Sequence, residues 1–142
     1  MTTRAQMSES AEHEGGHTDL MLAALEGQTD RVKALLQSGA GVNQRDDEGR
    51  TALMFAVTNI QTASAKALLE HGADVNVKAN DGCTALILAA SAGDNEIVRD
   101  LLSKGADVSG RFTDTGKTAL MLAKEKGHSE IVKLLEAAKT KQ

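Results

Sequence analysis

The chain has 142 residues, 41% apolar and 25% charged, with a net charge of −4, the composition of one globular domain with a modest core. Its Lys and Arg residues are spread throughout and its only aromatics are Phe55 and Phe112, which argues against a nucleic-acid surface built on a concentrated basic face and stacking platforms. No apolar run reaches the length of a membrane span, about 18 residues, and the single Cys83 excludes an intrachain disulfide.

The opening MTTRAQMSESAE lacks the apolar stretch of a secretory signal, so a cytoplasmic protein is expected. Residues 1–13 read as a tail, flexible or a partial cap. Residues 13–17, HEGGH, spell H-E-x-x-H, which on a helix places two histidines on a zinc ion with a glutamate to activate its water. Helical geometry opposes that reading. Gly15 and Gly16 form the central pair, each costing about 1 kcal/mol of helix relative to Ala. A third ligand would have to come from His71 or His128, far along the chain.

At Thr18 a segment TDLMLAA begins, and it recurs as TALMFAV from Thr51, TALILAA from Thr84 and TALMLAK from Thr118, at spacings of 33, 33 and 34 residues. Gly39, Gly72 and Gly105 keep the same beat, as do Leu35-Leu36, Leu68-Leu69 and Leu101-Leu102. Each unit reads as a polar turn, a Thr that caps a short helix of small apolar residues, and a break at Gly27, Gly93 or Gly127. A second, amphipathic helix such as NEIVRDLLSKG follows and ends on a glycine. Neither helix is long enough to stand alone in water, so stacking of units must bury both apolar faces. The expected fold is an all-α repeat solenoid over residues 14–138, with repeats at about 14–45, 46–78, 79–112 and 113–138 and a short tail, 139–142.

The second repeat is irregular. Ser64 and Ala65 stand where the third and fourth repeats carry Ile97-Val98 and Ile131-Val132, and Ile60 stands where the other repeats have Gly27, Gly93 and Gly127; looser packing or a shifted helix is expected there. Asp46-Asp47-Glu48 reads as a solvated acidic run. Cys83 precedes a helix, whose dipole is expected to lower its pKa. Two further stretches imitate catalytic signatures, Asp114-Thr115-Gly116 (the aspartic protease triplet) and GRFTDTGKT at 110–118. The triplet has no second copy to face it, and the phosphate-loop pattern carries five residues between its glycines instead of four. Aligned on their Thr, EGGHT, DEGRT, NDGCT and DTGKT occupy one position, so Gly16, Gly49, Gly82 and Gly116 are one structural turn glycine and all three imitations are turns. In the last repeat Lys124 and Glu136 replace small apolar and Leu residues, as expected of a polar end cap. The first repeat lacks an obvious polar face, which residues 1–12 are left to cover.

The stretch NDGCTALILAASAGDNEIVRDLLSKGADVS resembles the ankyrin repeat, and the likeness extends over about residues 14–138. The usual T-P-L-H box is T-A-L-M, T-A-L-I or T-D-L-M, and the chain has no Pro. The His that normally bonds across to the turn is replaced by Met21, Met54, Ile87 and Met121, so that bond is expected to be missing. The resemblance implies helix pairs joined by β-turn loops and a non-catalytic module that binds another protein, needing no cofactor or metal. Contacts would come from turn tips and the inner face of the first helices. In the first repeat these are His17, Leu25 and Glu26; in the second Arg45, Asp47, Glu48, Arg50, Thr58 and Asn59. In the third they are Lys78, Asn80, Asp81, Cys83, Ser91 and Ala92; in the fourth Arg111, Phe112, Asp114, Thr115, Lys117, Glu125 and Lys126. His17, Arg50 and Lys117 follow structural glycines, which favours an acidic partner, and Phe112, in the one-residue insertion, is the expected anchor. The chain is expected to be a monomer on its own, with no nucleic-acid or membrane partner. A dedicated inhibitor of one enzyme is the alternative function, and a zinc hydrolase built on HEGGH the more remote one.

Overall fold

The computed structural model describes residues 12–142. The expectation for residues 1–11, a tail or partial cap, lies outside the described residues. Thr18, Thr84 and Thr118 end their turns in extended backbone, and each side chain accepts the backbone N–H three residues on, at 3.2 Å. The Ala- and Leu-rich runs behind them contain no helix breaker and coil into two-turn helices. The helices come in pairs: α1 (Asp19–Glu26) with α2 (Thr29–Gln37), α3 (Ala52–Thr58) with α4 (Thr62–Glu70), α5 (Ala85–Ala92) with α6 (Asn95–Ser103), and α7 (Ala119–Lys126) with α8 (Ser129–Lys139).

Each first helix packs on the next first helix, each second helix on the next second helix, and the two helices of a pair on one another. The core is therefore one continuous seam between two rows of helices. Ala23, Ala56, Ala89 and Ala123, all 1% exposed or less, sit at one repeated position of the inner row and let the helices approach closely. Val32, Leu68, Ile97, Leu101, Ile131 and Leu135 fill the space from the outer row. Burying each such side chain contributes roughly 1.5–3 kcal/mol.

In the second repeat α4 keeps the register of its neighbours and is not shifted. Ser64 and Ala65 are fully buried there, and the Ser64 hydroxyl is paired with Thr29 Oγ1 at 2.9 Å. The small residues are satisfied by a polar bridge between outer helices, which the sequence expectation of a loosened repeat did not contain. Thr62 continues the row by donating to Asp94 Oδ2 at 2.7 Å.

The two ends close differently. Residues 13–17 form no α-helix: Glu12–His13 (β1) pairs antiparallel with His17–Thr18 (β2) across a single 3-10 turn at Glu14–Gly16. At Gly16 φ is +78°, and a side chain there would run into Asp47, so the turn needs glycine. The first repeat does carry a polar outer residue. Asp19 stands where Ala52, Ala85 and Ala119 are buried, and it pairs with His13 at 2.7 Å. At the far end Lys124 and Glu136 lie 3.8 Å apart, both half-exposed, on the face expected to be polar. Gln142 folds back there: its side chain accepts from Val108 N–H and donates to Ala106 O. No helix among the described residues is long and apolar enough to cross a membrane.

Candidate functional site

The turn tips are tied to one another along the array. Asp47 N–H donates to Gly15 O, Asn80 N–H to Glu48 O, and Thr113 N–H to Asp81 O, each at 2.9 Å. Side chains strengthen the ladder: Asn80 Nδ2 donates to Asp47 O at 3.1 Å, and Arg45 Nη2 to Lys78 O at 2.6 Å. One level back from the tips, Asn43 and Asn76 each accept a backbone N–H of the next repeat's loop. The tips thus form a fixed edge beside the inner helices.

This ladder corrects the placement of Phe112. Asp46 N–H donates to Arg50 O, Ala79 N–H to Cys83 O, and Phe112 N–H to Lys117 O, so Phe112 is the counterpart of two buried residues, Asp46 and Ala79. The extra residue lies further on, between Thr113 and Gly116. Phe112 is half-buried against the core.

Asp46 is not part of a solvated acidic run, because its carboxylate is completely buried. It accepts from Glu48 N–H, Arg50 N–H and Arg50 Nε at 2.7–3.0 Å, and His17 Nε2 approaches to 3.4 Å. The Arg50 guanidinium lies 4.9 Å over the Phe55 ring, and His17 meets the same ring edge-on at 5.5 Å. Four residues from two turns and one helix lock together at this point.

Beside that cluster opens a groove of about 340 Å³. Glu48, Arg50, Thr58, Asn80, Asp81, Cys83 and Phe112, all picked from sequence, line it together with Met54, Ala79 and Leu88. The last three form its apolar floor and were missed. Met54 lies three residues after Thr51 and Leu88 four after Thr84, and that offset from the helix-starting Thr was the available signal. Cys83 is buried, and burial, helped by the nearby Asp81 charge, pushes its thiol up to about 12. This is opposite to the lowering expected from the helix dipole: desolvation of a thiolate outweighs the N-terminus of a short helix.

Other sequence-picked residues lie outside the groove. Asn59 donates to Leu25 O at 3.0 Å, and Ser91 O accepts from the His128 ring at 3.2 Å. Asp114 accepts from Thr115 N–H, Lys117 pairs with Glu125 at 3.0 Å, and Lys126 is exposed at the end of α7. Arg111 lines a second cavity of about 410 Å³ at the C-terminal end, where Met121 is 48% exposed. His13 and His17, turned to Asp19 and Asp46, do not share a helical face. Arg50 and Lys117, which favoured an acidic partner, each already hold a carboxylate of their own chain.

A family model for ankyrin repeats (three copies) matches residues 4–79 and 76–141, nearly the whole chain. The chain belongs to the ankyrin-repeat family. No curated protein matches it. Ankyrin repeats are generally protein–protein interaction modules, typically without catalysis of their own. The chain departs from the ankyrin box in one chemically useful way. In the first repeat the Met21 sulfur takes up a bond, accepting from Thr18 N–H at 3.4 Å while Thr18 caps Met21. The bond that the missing His was expected to leave open is thus partly replaced there by a thioether.

Proposed function

We propose that the chain binds a partner protein through the groove between the second and third turn tips and the inner helices α3 and α5. One observation carries this reading: an apolar floor of Met54, Ala79 and Leu88, walled by Phe112, opens beside backbone tips that the ladder holds rigid. A preformed groove with a few placed polar groups spares the ordering cost of binding. The described residues that line it form no nucleophile–base pair, and its shape and apolar floor favour recognition over reaction. Thr58 is exposed on the groove's rim, and Thr58→Arg would fill the opening without touching the core. Affinity capture from source cells should recover a partner with the native chain and lose it with Thr58→Arg, provided circular dichroism shows both folded. Recovery unaffected by Thr58→Arg would place the binding surface elsewhere.

A further inference from the structure

The polar groups around this groove are unequally spent. Arg50, the one cation lining it among the described residues, is paired with the buried Asp46 carboxylate and sits 4.9 Å from the centre of the Phe55 ring. The Thr58 hydroxyl donates to Met54 O and the Asn80 amide to Asp47 O. The Cys83 thiol points to Thr84 O. The side-chain donors lining the groove are thus engaged within the chain.

The carboxylates are in the opposite state. Glu48 is 72% exposed, and its contact with Arg50 is a long 3.5 Å. Asp81 is exposed, accepts one backbone N–H from Cys83, and forms no ion pair among the described residues. With Asp46 cancelling Arg50, the net charge of the groove comes, among the described residues that line it, from Glu48 and Asp81. An anionic segment would meet two exposed carboxylates and an arginine whose charge Asp46 already balances. A cationic one would meet two exposed carboxylates with acceptor capacity to spare, flanking an apolar floor.

We infer that the groove receives an aliphatic side chain carried on a Lys- or Arg-flanked segment of the partner, the side chain resting on Leu88 against Phe112, over the buried Met54, and the flanking cations on Glu48 and Asp81. This rests on the protein-binding reading above and assigns the chemistry of the partner. The negative field acts on the groove's wall as well, since the Asp81 charge contributes to holding the Cys83 thiol protonated.

Methionine-methyl NMR tests it directly, because Met54 reports this groove and Met121 the separate C-terminal cavity. Two synthetic peptides share one leucine-centred sequence, one flanked by lysines and the other by glutamates. The lysine peptide should shift the Met54 signal and leave Met121 in place. Its affinity should fall three- to tenfold in Glu48→Gln/Asp81→Asn, and should fall again between 0.05 and 0.5 M salt. Equal response to the glutamate peptide, no Met54 response to the lysine peptide, or an affinity indifferent to the double substitution each overturns the assignment. A cellular partner lost on Thr58→Arg but indifferent to Glu48→Gln/Asp81→Asn would overturn this charge assignment while leaving the protein-binding reading intact.

Discussion

At the end of α3 the backbone turns through φ +56° at Ile60, in the region where Gly27, Gly93 and Gly127 end the other inner helices. An L-residue there costs roughly 1–2 kcal/mol, and a β-branched one is the worst placed. Ile60 is 52% exposed, so little burial offsets that strain. Glycine would lose about 0.5–1 kcal/mol more backbone entropy on folding, leaving Ile60→Gly more stable by up to about 1 kcal/mol. Urea melts followed by far-UV circular dichroism measure this without Trp or Tyr, which the chain lacks; a destabilised variant would mean Ile60 packs against something. Cys83 sets a second residue-scale effect. Its thiol ionises near 9.0 when free and about 12 in the fold. Above pH 9 the unfolded chain therefore holds fewer protons than the folded one, and stability must fall as pH rises from 9 towards 12, by at most about 1.4 kcal/mol per unit. Lysines titrate in the same window, so the comparison is with Cys83→Ala, whose decline between pH 8 and pH 10 should be shallower. Parallel declines would show the thiolate is tolerated in the fold.

Among the elements, four inner helices start at Thr but only three are capped by it. The Thr51 hydroxyl is buried with no hydrogen-bond partner among the described residues, whereas Thr84 caps Ile87 N–H. Losing a cap costs about 1 kcal/mol, while replacing an unpaired buried hydroxyl by a methyl of the same shape removes a desolvation penalty. Thr84→Ala should therefore lower stability by about 1 kcal/mol, and Thr51→Val should leave it unchanged or raise it. Equal losses in the two variants would show that Thr51 caps in solution. The helices and their beat were legible in the sequence because capping Thr, small apolar runs and terminal glycines act within one unit. What escaped depends on neighbours. The burial of Asp46 needs Arg50 and His17 to converge from two turns. The closure of α4 needs Thr29 of the preceding repeat, and the register of Phe112 is fixed by which N–H meets Asp81 O. The groove was half legible for the same reason: its rim lies on turn positions, but its floor appears only when α3 and α5 are stacked.

The whole molecule is a one-dimensional stack in which each helix pair rests only on its neighbours, so stability is a sum of unit and interface contributions and the ends are weakest. The ends are also unlike each other. At the first repeat β1, β2 and the His13–Asp19 pair shield α1, which buries Leu20, Met21, Ala23 and Ala24. At the last, α7 buries only Ala119 and Ala123, and Met121 stands open where Met21, Met54 and Ile87 are covered to 2% exposure or less by the following unit. The Lys124–Glu136 pair is an exposed contact worth at most about 1 kcal/mol and cannot replace a missing interface. By contrast α3 buries six residues and α5 five, each between two neighbours. Opening of α7 and α8 breaks a single inter-repeat interface, while exposing α3 to α6 requires dismantling the array. Native-state hydrogen exchange should therefore show α7 and α8 amides exchanging roughly tenfold or more faster than those of α3 and α5, with α1 in between. Exchange at one common rate throughout would mean that the array unfolds as a unit and that the last interface is as strong as the inner ones. Protection of α7 that rises to the level of α5 when the partner is bound would show that occupancy of the central groove is felt across that last interface.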